Sequence, residues 1–125
     1  MIGYVTLGTN NREAGAKFYD AVCGEFGYGR MFDTETFIAW GVEGGPPGVA
    51  ITKPFDGNPA SVGNGVMVAL EASGPAQVRK VHEIALANGG SDEGAPGDRG
   101  GGFYAAYFRD PDGNKLNAFC FAPDE

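Results

Sequence analysis

The sequence is poor in the residues that most often carry chemistry. It has one histidine, His82, and two cysteines, Cys23 and Cys120. No CxxC pair occurs, so neither a zinc knuckle nor a thioredoxin-like redox site is encoded. Two free, buried thiols in a reducing compartment are the expectation. Ser61, Ser73 and Ser91 fall in loops or caps, and no second histidine exists to activate one of them as a nucleophile. Cations are scarce as well: 9 Lys and Arg against 16 Asp and Glu give a net charge of −7. Nucleic-acid binding needs clustered cations, and anionic membrane surfaces attract polybasic segments, so neither partner is expected. No apolar run approaches a membrane span. The opening MIGYVTLG is too short for a signal-peptide core, which makes the protein a soluble, cytoplasmic one by expectation. The GGPPG and RGGGF segments lack the strand–GxxxxGK[ST]–helix order of a phosphate loop.

What is present is a patterned chain of 125 residues, 42% of them apolar, enough to form the core of a single domain over 1–125. The 22 glycines sit between periodic segments and read as turns. Residues 2–8 are short and β-rich. Asn10 followed by Glu13 has the form of a capping box, and Ala14, Phe18, Ala21 and Val22 follow at helical spacing to predict a helix over about 11–25. Strands are predicted at 28–33, 36–42 and 48–54, then a turn-rich linker. The same order then restarts: a strand over 65–71, a helix capped at Ser73 with Pro75 in its first turn, and strands near 91–95, 103–109 and 115–121. The last two are joined by Asp110, Pro111, Asp112, Gly113 and Asn114, residue types that supply a tight turn. A shift of 63 residues sets Tyr4 on Met67, Leu7 on Leu70, the cap Asn10 on the cap Ser73, and Phe18 on Val81. One strand–helix–strand–strand–strand unit therefore occurs twice, over 1–56 and 63–122.

A tandem βαβββ unit that opens with IGYVTLGTNNREAGAKFY and closes with FYAAYFRDPDGNKLNAF resembles the vicinal-oxygen-chelate superfamily of glyoxalases, bleomycin-resistance proteins and dioxygenases. The resemblance covers nearly the whole chain. It implies an α+β fold whose two modules build a curved, half-open, eight-stranded sheet with helices on the convex face and the site on the concave one. In the enzymes of that superfamily a divalent metal is held by His and Glu from the first and last strands of each module. The matching positions here are Tyr4, Met67, Asn117 and a fourth near Ala50 or Thr52, none of which makes a good first-row metal site. No metal and no cofactor are therefore expected. His82 lies between Val78 and Leu86 on the second helix and is expected to pack on the convex side. Asp110 and Asp112 read as turn residues.

Strand alternation sorts the faces. Val5, Leu7, Val66, Val68, Leu70, Leu116, Ala118 and Cys120 are predicted to face the helices. Tyr4, Thr6, Met67, Asn117 and Phe119 are predicted to face the cavity. Trp40 and Tyr104 join them as candidate contacts on strands of unfixed register, with Tyr104 and Tyr107 on opposite faces. Such a surface suits a small organic ligand with flat apolar parts, although the same aromatics would equally serve to close a core. Three functions follow: a metal-free protein that binds a small organic molecule, cationic or aromatic; a lactoylglutathione-lyase-like or other metal-dependent lyase or dioxygenase with non-standard ligands; and a structural or regulatory domain, which the short chain disfavours. Family members often pair, so a homodimer is expected.

Overall fold

The computed structural model describes residues 1–121. Ala122, the expected end of the second module, lies outside them. Ten elements follow one another: β1 (Tyr4–Gly8), α1 (Arg12–Glu25), β2 (Gly29–Asp33), β3 (Phe37–Gly41), β4 (Gly48–Thr52), β5 (Val68–Glu71), α2 (Pro75–Ala87), β6 (Ser91–Asp98), β7 (Phe103–Arg109) and β8 (Lys115–Phe121). They form two mixed sheets of the same topology, β1-β4-β3-β2 and β5-β8-β7-β6. In each, the first and last strands of the module run parallel and the hairpins run antiparallel. The fold is thus α+β, a βαβββ unit used twice, with the sheets left unclosed.

Three local details depart from the sequence pattern. Asn11 caps α1, its side chain accepting from the Ala14 amide, while Asn10 turns away to bond the Ala60 backbone. Gly74 stands at the N-cap of α2 with no side-chain cap, and Pro75 fills the first turn, where a missing N–H costs nothing. The fifth strand starts at Val68 because Asn64 and Gly65 form a turn, with Gly65 at φ +91°. Val66 therefore lies outside the strand and is exposed instead of facing a helix.

Each sheet buries one face under a helix. Phe18, Tyr19 and Val22 of α1 meet Ile38, Trp40 and Ile51; Val78, Val81 and Ala85 of α2 meet Phe108, Leu116 and Ala118; all belong to one contiguous core. Phe18 joins the halves, its ring 6.2 Å from that of Phe108. Gly90 lets it in, since a Cβ there would stand 2.8 Å from the Phe18 ring and 2.7 Å from the Arg109 carbonyl oxygen.

The second joint is polar. Asp110 is only 3% exposed. Its Oδ1 accepts from the backbone amides of Asp112 and Asn114, and its Oδ2 accepts from the Tyr19 hydroxyl at 2.7 Å and from Asn114 Nδ2 at 2.9 Å. Asn114 Nδ2 also donates to the Gly8 carbonyl at the end of β1, and the Asn10 amide donates to Asp112. The turn between β7 and β8 is thereby tied to β1 and α1 of the other module. Burial raises the Asp110 pKa against these donors, and burial together with Asp110 raises that of Tyr19. Tyr19→Phe leaves the Asp110 Oδ2 with one donor fewer in a dry site. It is expected to cost about 1–3 kcal/mol in urea unfolding, whereas an unchanged midpoint would mean that packing alone holds this joint.

Candidate functional site

Because strand partners share a face, the registers assign every side chain of the uncovered surfaces. In the first sheet Tyr4 pairs with Gly48, Thr6 with Ala50, Ala39 with Ala50 and Phe37 with Thr52, all opposite to the helix-facing Val5, Ile38 and Ile51. Phe32 pairs with Ala39 across a bulge at Met31. Together Tyr4, Met31, Phe32, Phe37, Ala39 and Val42 wall a hollow of about 510 Å³ that is open on one side. Gly41, Gly45, Pro46 and Gly48 also line it. Gly48 belongs there by necessity, since a Cβ would fall 1.8 Å from the Trp40 carbonyl oxygen. Tyr4 and Phe37 meet edge to face at 6.3 Å, and Tyr4 and Phe32 are more than half exposed. A flat apolar ligand fits such a surface, with the Tyr4 hydroxyl as the polar handle.

In the second sheet Asn117 lies between Ala69 and Tyr107, and Phe119 lies between Glu71 and Ala105. Phe119, Phe103 and Phe121 form an aromatic cluster with ring centres 5.5–6.2 Å apart. Arg99 and Lys115 both lie over the Tyr107 ring, at 5.5 and 5.4 Å from its centre. Asn117 is 1% exposed, and its Oδ1 is buried with no hydrogen-bond partner.

The candidate contacts therefore divide. Tyr4, Thr6, Asn117 and Phe119 lie on the uncovered faces. Met67 precedes β5 and lines a separate apolar cleft of about 650 Å³ between the modules, with Val5, Cys23, Phe26 and Leu70. Burial there pushes the Cys23 thiol up to about 12, which makes it a packing group and a poor nucleophile. Trp40 and Tyr104 are on the helix side. Trp40 is buried against Tyr19 with its Nε1 donating to Asp20 at 2.9 Å, and the Tyr104 hydroxyl accepts from Arg79 of α2. Tyr107, on the opposite side of the strand from Tyr104, takes the place on the uncovered face. His82 sits between α2 and β6, its Nε2 2.9 Å from Asp92 Oδ1 and its ring edge-on to Phe108. Sequence reasoning omitted Met31, Phe32 and Phe37; the β3 alternation pointed to Phe37, but the bulge that turns Met31 toward Gly41 leaves no local signal.

A divalent metal does not suit these residues. Thr6 and Ala69 correspond under the 63-residue shift, so the strand partner of Thr6, Ala50, is the counterpart of Asn117. The four positions then offer a phenol, a methyl, a thioether and an amide, where a divalent site wants about three imidazoles, carboxylates or thiolates. Among the described residues, no group of three or more His, Cys, Asp or Glu is placed to hold a metal, and no helix is long and apolar enough to cross a membrane.

The comparisons agree with this architecture. The Glyoxalase/Bleomycin resistance protein/Dioxygenase superfamily matches residues 1–118. A glyoxalase/bleomycin resistance protein from Albidiferax ferrireducens T118 is 38% identical, covers 95% of this chain and 97% of its own, and superposes with a TM-score of 0.87. A glyoxalase-related enzyme from Fulvimarina pelagi (22% identity, 95% and 86% covered, TM-score 0.77) and a lactoylglutathione lyase from Agrobacterium tumefaciens (20%, 95% and 92%, 0.71) share the fold. No curated protein matches the sequence.

The placement of Trp40 supplies an optical probe. Arg30 binds Asp20 through two hydrogen bonds, and it is chiefly this that lowers the Asp20 pKa. A lowered folded value means that the contribution of Asp20 to stability is present above its unfolded value of 3.8 and is lost as the pH falls through the folded one. Arg30→Gln is therefore expected to move the acid change in Trp40 fluorescence to higher pH. Coincident titrations of the two proteins would show that Arg30 does not hold Asp20 in its charged form.

Proposed function

Given that the chain belongs to the glyoxalase/bleomycin resistance protein/dioxygenase superfamily, we propose that it binds a small organic molecule on its uncovered aromatic faces without a metal. The observation that carries this reading is the hollow of about 510 Å³ walled by Tyr4, Met31, Phe32, Phe37 and Val42. Large apolar side chains exposed to water together on a sheet face cost solvation free energy that a ligand or a partner surface removes. The donor chemistry of Tyr4, Ala50, Met67 and Asn117 supports the metal-free part. A lyase or dioxygenase of the usual metal-dependent kind needs a Lewis acid to polarise vicinal oxygens, and these side chains supply no place for one. A homodimer, in a cytoplasmic protein, accords with the exposed Tyr4, Phe32 and Phe121.

Elemental analysis of the purified protein, before and after soaking with Zn, Ni, Mn and Fe(II), is expected to find no metal above trace. A stoichiometric ion would overturn the metal-free reading and restore the alternative, a lactoylglutathione-lyase-like or related metal-dependent enzyme with non-standard ligands. A Phe37→Ala variant is expected to weaken the binding of small neutral aromatics such as toluene several-fold, in keeping with the loss of one aromatic contact of about 0.5–1.5 kcal/mol. Unchanged affinity would place the ligand elsewhere.

A further inference from the structure

The chain carries a net charge of −7, yet two of its cations lie over one ring of the second sheet with no ion-pair partner among the described residues. Arg99 and Lys115 lack an acidic partner among the described residues, whereas neighbouring Arg109 is paired with Glu93 at 2.7 Å. The Arg99 guanidinium donates to the Ala95 carbonyl and lies over the Tyr107 ring. It passes beside Gly94 and Gly97 of β6, where a Cβ would come within 3.2 and 3.0 Å of it. Lys115 comes to the same ring from β8.

Next to this cation pair stands Asn117, strand partner of Tyr107, with its Oδ1 buried and unpartnered. A buried acceptor without a donor is destabilising, and a donor on a ligand would satisfy it. Beyond Asn117 on the same face lies Phe119 with Phe103 and Phe121. Two residues of strand, about 7 Å, separate the Tyr107 row from the Phe119 row. Glu71, the register partner of Phe119, places a negative charge at the aromatic end.

We propose that the face formed by Arg99, Tyr107, Lys115, Asn117 and Phe119 is a binding site for an aryl-alkanoic acid. Its carboxylate lies at Arg99 and Lys115, its ring on the phenylalanine cluster, and a hydroxyl or amine between them donates to Asn117. Glu71 repels the reversed orientation. This rests on the small-molecule reading above and replaces its open choice of ligand charge with an anion.

The probes are 3-phenylpropanoate, its neutral counterpart 3-phenylpropan-1-ol, and 2-hydroxy-3-phenylpropanoate, each titrated into the full-length protein and followed by amide NMR shifts. The acid is expected to bind about tenfold more tightly than the alcohol, the gain of a charge-assisted contact, and to shift the amides of Gly94, Gly97 and Tyr107. Arg99→Gln with Lys115→Gln is expected to bring the acid down to the affinity of the alcohol. The hydroxy acid is expected to bind more tightly than the plain acid, an advantage that Asn117→Leu removes. Equal binding of acid and alcohol, or shifts confined to Tyr4 and Phe37, would overturn the acid site and leave the small-molecule reading standing. Absence of binding by all three, together with the failure of toluene to bind the first sheet, would overturn both.

Discussion

The buried carboxylate of Asp110 is the constraint from which the rest of the arrangement follows. It draws four donors into one dry spot: two amides of its own turn, the side chain of Asn114 and the hydroxyl of Tyr19. Three of the four are local and fix the shape of the turn, with Gly113 at φ +92°. The fourth comes from the helix of the other module, 91 residues earlier. A turn that would otherwise end a hairpin thus becomes the fastener between two halves. Four donors offset much of the penalty of burying the group, while burial still pushes its pKa upward, so the site is satisfied but not free of strain.

That joint decides which surfaces remain available. With α1 and α2 drawn together over one core, each sheet has a single saturated face, and the core residues on β3, β4, β7 and β8 alternate accordingly. The opposite faces keep their aromatics in water. The thiol nearest the inter-module cleft is held protonated by burial, and among the described residues the open faces offer stacking, a few hydrogen bonds and, on the second sheet, charge.

Most of this was legible in the sequence where two independent signals coincided. The repeat showed in strand and helix periodicity together, and the helix-facing set Leu116, Ala118 and Cys120 followed from alternation anchored by the DPDGN turn. The same turn also contained the register that was missed. Folding the chain back about Asp112 pairs Arg109 with Lys115 and Tyr107 with Asn117, which places Tyr107 on the open face and Tyr104 under α2. The side of Trp40, on a strand of open register, was undecided for a different reason. A large aromatic with a polar tip suits a cavity wall and a core equally well, and only the approach of Asp20, from a helix 20 residues earlier, selects the core. The cap of α1 slipped by one position because adjacent Asn10 and Asn11 are chemically equivalent, and the choice between them depends on Ala60, which lies far along the chain. The bulge at Met31 and the close approach at Gly48 are tertiary facts with no local cause.

The charge pattern shows how composition and site can point in opposite directions. A net charge of −7 favours cationic ligands only if the charge reaches the site. Here much of the acid is spent on structure: Asp20 and Asp33 on arginines beside α1, Asp92 on His82, Glu93 on Arg109 and Asp110 on the inter-module joint. Screening over about 8–10 Å weakens the influence only of carboxylates farther than that from a ligand at the sheet. What such a ligand meets is the local set, and on the second sheet that set is Arg99 and Lys115 over Tyr107, the Arg109–Glu93 pair beside Lys115, and Glu71 at the far end. Each of those ion pairs takes up a cation as well as an acid, so the charge a ligand meets is set by which residues share its face and not by the total.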